Sequence, residues 1–236
     1  MTRAPTSSCT HPGCGRGTTD PSGVCWQHRS TGTSLALAAV YGATPVEPDD
    51  AAQLVPGIKV GTRAEVEAFE EQGVAHALIA HVLDTQANGG PEWLLDDLRL
   101  RAFHEAAFGR VWTWAGRYRV RETNIGVVPH EIATQTRALM DDARAWWEYE
   151  TYPLVERVVR LHARIGAIHP FVNGNGRVAR LYAELLLAAS GDQTRLGWSR
   201  RSVSDAVERR RQYIDSLRRA EATDDFSELV AFAVAP

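Results

Sequence analysis

The sequence has little lysine, few cysteines and no long apolar run. Lys59 is the only lysine among 236 residues, so arginine carries almost all of the positive charge, and the formal net charge is -3. Such a charge excludes a general attraction to nucleic acid or to an anionic membrane surface. No apolar run is long enough to cross a bilayer, and the first residues lack the apolar core of a signal peptide. We therefore expect a soluble, cytoplasmic protein with no membrane partner.

The cysteines all lie near the N-terminus, and their odd number argues against a full disulfide framework. Cys9, Cys14, Cys25 and His28 have the spacing of a closed tetrahedral Zn²⁺ site, with His11 as a rival fourth ligand. A segment this short has no hydrophobic core and needs a metal to hold it together. The pattern predicts a zinc knuckle, whose partner is a nucleic acid or a protein.

The chain is long enough for one sizeable core and a small appendage. We assign residues 1–31 to the zinc knuckle, 32–50 to a linker and 51–236 to one large domain. Residues 118–132 predict an extended hairpin. Apolar residues at helical spacing make the rest of this domain mostly α, with predicted helices at about 62–82, 94–108, 132–148, 153–168, 177–189, 202–220 and 225–234.

One stretch, from His169 to Arg180, reads HPFVNGNGRVAR and carries most of the functional information. Its Asn-Gly-Asn-Gly turn leads into a helix, and a glycine turn at a helix N-terminus is a site for anions. Arg177 and Arg180 add two guanidinium groups to the first turns of that helix. His169 lies just ahead of the turn, where an imidazole is able to take a proton from an attacking group. The pattern indicates phosphate binding beside a general base.

The stretch resembles the signature of the Fic family, HPFx[D/E]GNGRxxR. Residues 111–119, VWTWAGRYR, and 123–127, TNIGV, are similar to segments that precede this signature in the family. The run GATPVEPDD and the sequence after it resemble the branch called mobile mystery protein B. The resemblance covers about residues 42–233. It implies a Fic-type helical bundle with a short β-hairpin flap, which transfers AMP from ATP to a hydroxyl side chain of a target protein.

The resemblance also implies roles for individual residues. His169 is the expected general base, and Phe171 anchors the loop in the core. Arg177 neutralises the outer phosphates, and Arg180 lies nearby. The residues expected to bind nucleotide and metal are Asn173, Gly174, Asn175 with its side chain assisting, Gly176, Arg177 and Arg180. The residues expected to hold the target by strand addition are Thr123, Asn124, Ile125, Gly126 and Val127.

Asn173 departs from the family pattern, which has Asp or Glu at this position to hold the Mg²⁺ that bridges the ATP phosphates. An amide oxygen is a weaker ligand for Mg²⁺ than a carboxylate. Two alternative functions therefore remain open in addition to AMP transfer from ATP. One is a transferase that uses another phosphate-containing donor or a small-molecule acceptor. The other is a non-catalytic regulator, either nucleotide-binding or DNA-associated, in which the zinc knuckle is the functional part.

Many Fic proteins are restrained by a glutamate on an inhibitory helix, which pairs with the second arginine of the signature. No strict match to that helix motif is present. The nearest segment runs from Thr62 to Gly73, and its candidates are Glu70 and Glu71. We expect one of them to pair with Arg180. The remaining helical histidines have no metal-site spacing, and we interpret them as ordinary core or surface residues; they are His76, His81, His104 and His162.

Overall fold

A computed structural model describes residues 7–8, 17–18, 53–56, 58, 63–199 and 206–235. Its α-helices are α1 Arg63–Ala87, α2 Asp97–Phe108, α3 Ile132–Glu148, α4 Leu154–Ile168, α5 Asn175–Ala189, α6 Ala206–Thr223 and α7 Ser227–Val234. Short 3-10 helices cover Pro91–Leu94, Pro129–Glu131 and Gly197–Ser199. Strand β1 (Ser7–Ser8) pairs antiparallel with β2 (Gly17–Thr18). The mostly α architecture predicted from the sequence is confirmed.

The centre of the fold is the pair α4 and α5, which are joined by the loop that carries the signature. Helix α4 begins after Pro153, whose fixed φ suits a helix start, and it ends at Ile168, with His169 as its C-cap just before Pro170. Helix α5 begins at Asn175, two residues earlier than predicted, because Gly174 takes a left-handed conformation at its N-cap. The two helices pack along their apolar faces, so the loop between them is held at both ends.

The other helices enclose this pair. Helix α1 packs on α2 and α5, and α3, α6 and α7 all pack on α4. The core is filled by large side chains with almost no exposure, including Phe103, Phe108, Phe171 and Tyr182. The Tyr182 hydroxyl donates to the Leu94 carbonyl, so this buried phenol has a partner. Among the described residues, no helix combines the length and the apolarity that crossing a membrane requires.

The segment before α1 lies along residues 111–113. The Val55 N–H donates to the Val111 carbonyl at 2.9 Å, and the Thr113 N–H donates to the Gln53 carbonyl at 2.9 Å. These bonds frame an isolated antiparallel bridge between Leu54 and Trp112. Trp112 is therefore held by backbone pairing on both sides of its position.

The hairpin predicted for residues 118–132 is not confirmed. Its two legs pair with the end of α4 instead of with each other: the Arg119 N–H donates to the Pro170 carbonyl at 2.9 Å, and the Val127 N–H donates to the Ile168 carbonyl at 3.2 Å. Residues 118–128 thus form an irregular flap over the signature loop, followed by a 3-10 turn.

The predicted zinc ligands Cys9, Cys14, Cys25 and His28, and the alternative His11, lie outside the described residues. The zinc knuckle therefore stays a prediction, as do the boundaries at residues 31 and 50.

Candidate active site

His169 ends α4 in a left-handed conformation, with φ 52°. Its N–H donates to the Ile165 carbonyl at 3.0 Å, and its own carbonyl accepts the Arg119 Nε–H at 2.7 Å. The residue is 6% exposed. Burial lowers the pKa of its imidazole to about 4; a hydrogen bond with the Gly166 backbone opposes this shift, and the charge of Arg119 adds to it. The imidazole is therefore neutral at pH 7 and able to accept a proton.

The loop after His169 is fixed by Phe171 and Asn175. The Phe171 ring is fully buried. The Phe171 N–H donates to Asn175 Oδ1 at 2.8 Å, and Asn175 Nδ2 donates to the Phe171 carbonyl at 2.8 Å. The Asn175 side chain is thus buried and occupied on both polar atoms. The expectation that this side chain assists phosphate binding is wrong, because it spans the loop instead and shapes the turn.

The N-terminus of α5 supplies backbone donors. Gly174 has φ 79°, and a Cβ at this position would lie 2.8 Å from the Phe108 ring. The left-handed turn and the ring contact both require glycine here. The first N–H groups of a helix have no carbonyl partner inside the helix, and they carry the positive end of its dipole. The turn therefore presents the N–H groups of Asn175, Gly176 and Arg177 at one place, as an anion site needs.

Asn173 lies at the predicted metal position, between Phe171 and the helix. Its Oδ1 accepts the Gly174 N–H at 2.6 Å, and its backbone carbonyl bonds with Nε2 of His104 at 3.0 Å. In the part of the chain that the structure describes, no group of three or more His, Cys, Asp or Glu side chains is placed to hold a metal ion. The loop offers one amide oxygen at this position.

Arg177 forms an ion pair with Glu70, whose Oε2 lies 2.7 Å from Arg177 Nη1. The other carboxylate oxygen, Oε1, accepts the indole N–H of Trp112 at 2.7 Å. Glu70 is 3% exposed, whereas Glu71 lies on the exposed face of α1. The structure thus separates the two candidates. The expected partner Arg180 is wrong: the carboxylate binds Arg177, the first arginine of the signature, and its other oxygen is taken by Trp112.

Arg180 lies one turn further along α5, beside α6. Its guanidinium carbon is 5.7 Å from the centre of the Tyr213 ring. Burial raises the pKa of Tyr213, while the charge of Arg180 acts to lower it. The Tyr213 hydroxyl forms a 2.8 Å hydrogen bond with Nε2 of the buried His162. Arg180 is therefore next to the phenol of α6, and it stays half-buried rather than paired with Glu70.

The flap is fastened to the base by Arg119, which is 3% exposed. Besides the His169 carbonyl, its guanidinium binds the carbonyl of Arg121 at 2.8 Å and that of Val127. A Cβ on Gly126 would lie 2.5 Å from Cβ of His169, so the flap backbone passes directly against the base. At the flap tip, Thr123 Oγ1 donates to the Ile125 carbonyl at 2.5 Å.

Comparison with known proteins agrees with this geometry. Residues 94–187 match the model of the Fic/DOC family. Residues 94–187 form a Fic/DOC domain. Protein adenylyltransferase fic-1 from Caenorhabditis elegans is 33% identical over 84 residues, which are 33% of this chain and 16% of that protein. The match therefore spans only a small part of that relative.

Solved structures show the same fold around this Fic/DOC domain. A Fic domain containing signaling protein from Bacteroides thetaiotaomicron has a TM-score of 0.56 at 20% identity, with 76% of this chain and 67% of that chain covered. Fic-1 (aa134 - 508) from C. elegans has a TM-score of 0.54 at 23% identity, with 86% of this chain and 55% of that chain covered. BepC from Bartonella tribocorum with bound AMPPNP has a TM-score of 0.53 at 14% identity, with 79% of this chain and 96% of that chain covered.

Trp112, Arg119 and Tyr213 had no role predicted from the sequence, although the structure brings them to the Fic/DOC site. Trp112 and Arg119 lie in the stretch VWTWAGRYR, which the sequence offered only as a family likeness. Tyr213 lies on α6 and had no motif of its own. For Trp112 and Arg119, this stretch was the signal in the sequence. A buried arginine needs carbonyl or carboxylate partners, and a buried indole N–H needs an acceptor.

Proposed function

We propose that this protein transfers AMP from ATP to a hydroxyl side chain of a target protein. The observation that carries the proposal is the position of His169: a neutral imidazole at the end of α4, one short loop away from the N-terminus of α5 and its two arginines. A base beside an anion site is the arrangement that transfer of a phosphate-containing group requires. The C. elegans relative is named an adenylyltransferase, and BepC binds AMPPNP; both facts support a nucleotide donor for this chain.

In the proposed reaction the target hydroxyl attacks the α-phosphorus of ATP. A bond forms between the hydroxyl oxygen and that phosphorus, the bond from the α-phosphorus to the bridging oxygen breaks, and pyrophosphate leaves. His169 takes the hydroxyl proton. Its pKa of about 4 in the free protein makes it a weak base. The negative charge of a bound triphosphate would raise that pKa by stabilising the imidazolium, so the base strengthens when the donor is in place.

The phosphates are bound by backbone N–H groups at the start of α5, with Arg177 and Arg180 neutralising charge. Guanidinium groups suit this task because they present several donors in a plane. Arg177 is available only when its ion pair with Glu70 opens. Glu70 therefore restrains the site: the buried carboxylate competes with the phosphates for the same guanidinium.

The loop fits Mg²⁺ that arrives with the nucleotide. Mg²⁺ bound to phosphates needs few protein ligands. Asn173 would hold it through Oδ1, which would first have to leave the Gly174 N–H. When bound, the ion would neutralise phosphate charge. Because one neutral oxygen is a poor ligand, we expect weak binding, and the guanidinium groups then supply more of the neutralisation.

The target would lie along the flap. Ile125 and Val128 are 41% and 37% exposed, and Val120 is 87% exposed, which is high for valine. An extended peptide placed against this edge would cover these side chains and bring its hydroxyl near His169. The Val127 N–H is already used by Ile168. Strand addition therefore has to use the outer edge of residues 123–126.

Asn173 supports a second candidate, in which the donor is another phosphate-containing compound. A donor that needs less Mg²⁺ suits an amide at this position better than ATP does. The acceptor in this case is a protein or a small molecule. The chemistry at His169 is the same in both candidates, so the donor must be identified directly.

The test uses the Glu70→Gly variant, in which Arg177 is released, and a lysate of the host. ATP labelled at the α-phosphate should label a target, ATP labelled at the γ-phosphate should not, and the mass added should be that of AMP. His169→Ala should lower the rate by roughly 10²–10⁴-fold. His76→Ala, which changes an exposed histidine on α1, is the matched control and should leave it unchanged. Transfer that survives in His169→Ala would contradict the mechanism. A different added mass would favour the second candidate.

A further inference from the structure

His104 is a fully buried histidine on α2 that the proposed reaction does not use. Its ring stacks on Phe171, with the ring centres 3.8 Å apart and the planes at 27°. Phe171 follows the base by two residues and anchors the signature loop. His104 therefore lies directly under that loop, on the side away from solvent.

Both ring nitrogens of His104 are hydrogen-bonded, and each bond reaches a different loop. The Gly116 N–H donates to Nδ1 at 3.0 Å, so Nδ1 must be unprotonated. The proton is then on Nε2, which donates to the Asn173 carbonyl at 3.0 Å. Burial lowers the pKa of His104 to about 4; the hydrogen bond with Asn173 opposes this, and the charge of Arg177 adds to it. Because Nδ1 accepts one hydrogen bond and Nε2 donates the other, the geometry assigns this single neutral form to the ring.

The Asn173 carbonyl belongs to the same peptide group as the Gly174 N–H. In a trans peptide these two groups point in opposite directions, and the described residues contain no cis peptide. A bond that holds the carbonyl towards the core therefore turns the Gly174 N–H away from the core, towards the start of α5. Asn173 Oδ1 accepts this N–H at 2.6 Å in the free protein.

This peptide group needs a restraint because the residue after it is a glycine. Gly174 has φ 79°, and glycine takes positive and negative φ about equally well. Rotation of the 173–174 peptide would exchange the directions of its carbonyl and its N–H, as between the common types of β-turn. The carbonyl would then face the phosphates and repel them.

We propose that His104 is a positioning residue: its Nε2–H holds the Asn173 carbonyl and thereby aims the Gly174 N–H at the phosphates of the donor. This inference rests on the proposed function only for the identity of the ligand. The hydrogen bond to the Asn173 carbonyl directs the Gly174 N–H, whereas the hydrogen bond from the Gly116 N–H fixes the His104 ring. Loss of the first should affect phosphate binding and turnover, and loss of the second mainly stability.

Two substitutions separate these bonds. In His104→Gln the amide nitrogen is placed to replace Nε2, so the bond to Asn173 is kept and the bond to Gly116 is lost. In His104→Asn the amide oxygen is placed to replace Nδ1, so the bond to Gly116 is kept and the bond to Asn173 is lost. His81→Gln is the control, because His81 is also a buried histidine, on α1. Its ring forms a 2.9 Å hydrogen bond with the Ala77 carbonyl and an edge-on contact with the Phe103 ring.

The measurement is the ¹⁵N–¹H amide signal of Gly174 during titration with inorganic pyrophosphate, together with kcat and KM for transfer well below each melting temperature. We expect the signal to move in the wild type, His104→Gln and His81→Gln. In His104→Asn it should lose most of this movement, and kcat should fall by about tenfold to a hundredfold, as for a misplaced binding group. Equal responses of His104→Asn and His104→Gln, or losses that only follow melting temperature, would overturn the inference.

One readout needs no variant and covers the case in which His104→Asn does not fold. The ring ¹⁵N shifts of His104 in the wild type should show a protonated Nε2 and an unprotonated Nδ1; the opposite form would overturn the inference. Failure of the proposed function looks different: the Gly174 signal then responds to pyrophosphate while no AMP is transferred. A Gly174 signal that ignores pyrophosphate in the wild type refutes the role of His104 itself.

Discussion

Nη1 of Arg177 lies 2.7 Å from Oε2 of Glu70, although the two residues are 107 positions apart in the chain. The side chains differ in exposure: 36% for Arg177 and 4% for Glu70. The carboxylate is fixed by the core and by Trp112, so the arginine is the partner that swings when the pair opens. A ligand rich in negative charge is suited to draw it away.

Glu70→Gly should raise the rate of transfer or automodification. A charge-assisted hydrogen bond contributes about 1.5–3 kcal/mol, which corresponds to roughly 10- to 100-fold in the availability of Arg177. Glu71→Gly is the matched control, because it places the same flexible residue on the exposed face of the same helix. Initial rates at equal protein concentration check this. Equal rates in both variants would mean that the ion pair is structural only.

Trp112→Phe should release part of the same restraint. The substitution removes the indole N–H that holds Glu70 Oε1 but keeps an aromatic ring against Trp114, whose ring centre is 5.1 Å away. We expect a rate between those of the wild type and Glu70→Gly. In the double variant, Trp112→Phe should add nothing, since both changes act through one carboxylate. An additive gain would place Trp112 in a separate role.

Asn173→Asp should lower the Mg²⁺ concentration needed for half-maximal transfer from ATP, because a carboxylate binds Mg²⁺ better than an amide does. Activity with saturating Mg²⁺ should rise or stay the same. A Mg²⁺ titration of the initial rate measures both quantities. If ATP-dependent activity is lost instead, Asn173 is adapted to a different donor.

The free energy of unfolding should fall as the pH drops from about 6.5 towards 4. Burial lowers the pKa of His104 and His169 to about 4 and that of His162 to about 3, against an ordinary value of 6.5. At a pH between the folded and the unfolded pKa of a histidine, the unfolded chain binds a proton that the folded chain does not bind, so acid favours unfolding. Each such histidine contributes a slope of at most about 1.4 kcal/mol per pH unit.

Urea unfolding at several pH values between 7 and 4 measures this slope. His162→Gln removes one titrating ring, so its curve should be flatter, even though its stability at pH 7 is lower. A slope that His162→Gln leaves unchanged would show that carboxylates, not buried histidines, govern the acid response.

Zinc analysis of protein purified under reducing conditions should find one Zn²⁺ per chain, bound by Cys9, Cys14, Cys25 and His28. The spacing is that of a closed structural site. A chelator should release the ion and leave the main melting transition in place, because the helical core does not depend on it. Cys14→Ser should lose the zinc and keep the basal transfer rate. Protein that contains no zinc would rule the site out.

Local sequence was enough to predict the helices and the position of the signature loop, because periodic apolar residues and a glycine turn are short-range signals. It was not enough for partners distant in the chain. Glu70 or Glu71 was expected to pair with Arg180, whereas Glu70 pairs with Arg177, because the alignment of α1 over α5 depends on packing across the whole core. The Asn175 side chain turns inward to Phe171, and no feature of a Gly-Asn-Gly turn shows on which side its amide lies.

The flap shows the same limit. Residues 118–132 have the composition of paired strands, but Arg119 and Val127 find their carbonyl partners at the end of α4. His104 has an isolated position in the sequence and was interpreted as an ordinary core histidine. Its contacts with Gly116 and Asn173 depend on two loops that come together only in the folded chain.

Arg119 gives the flap and the base one common support. The guanidinium holds the carbonyls of Arg121 and Val127 at the two ends of the flap and the His169 carbonyl at the end of α4. A change near either end of the flap therefore moves the backbone that carries the imidazole, and it affects turnover as well as target choice. The tip of the flap, at Asn124 and Ile125, lies between the two carbonyls that Arg119 holds. Divergence towards new targets should accumulate there, while the ends of the flap stay as they are.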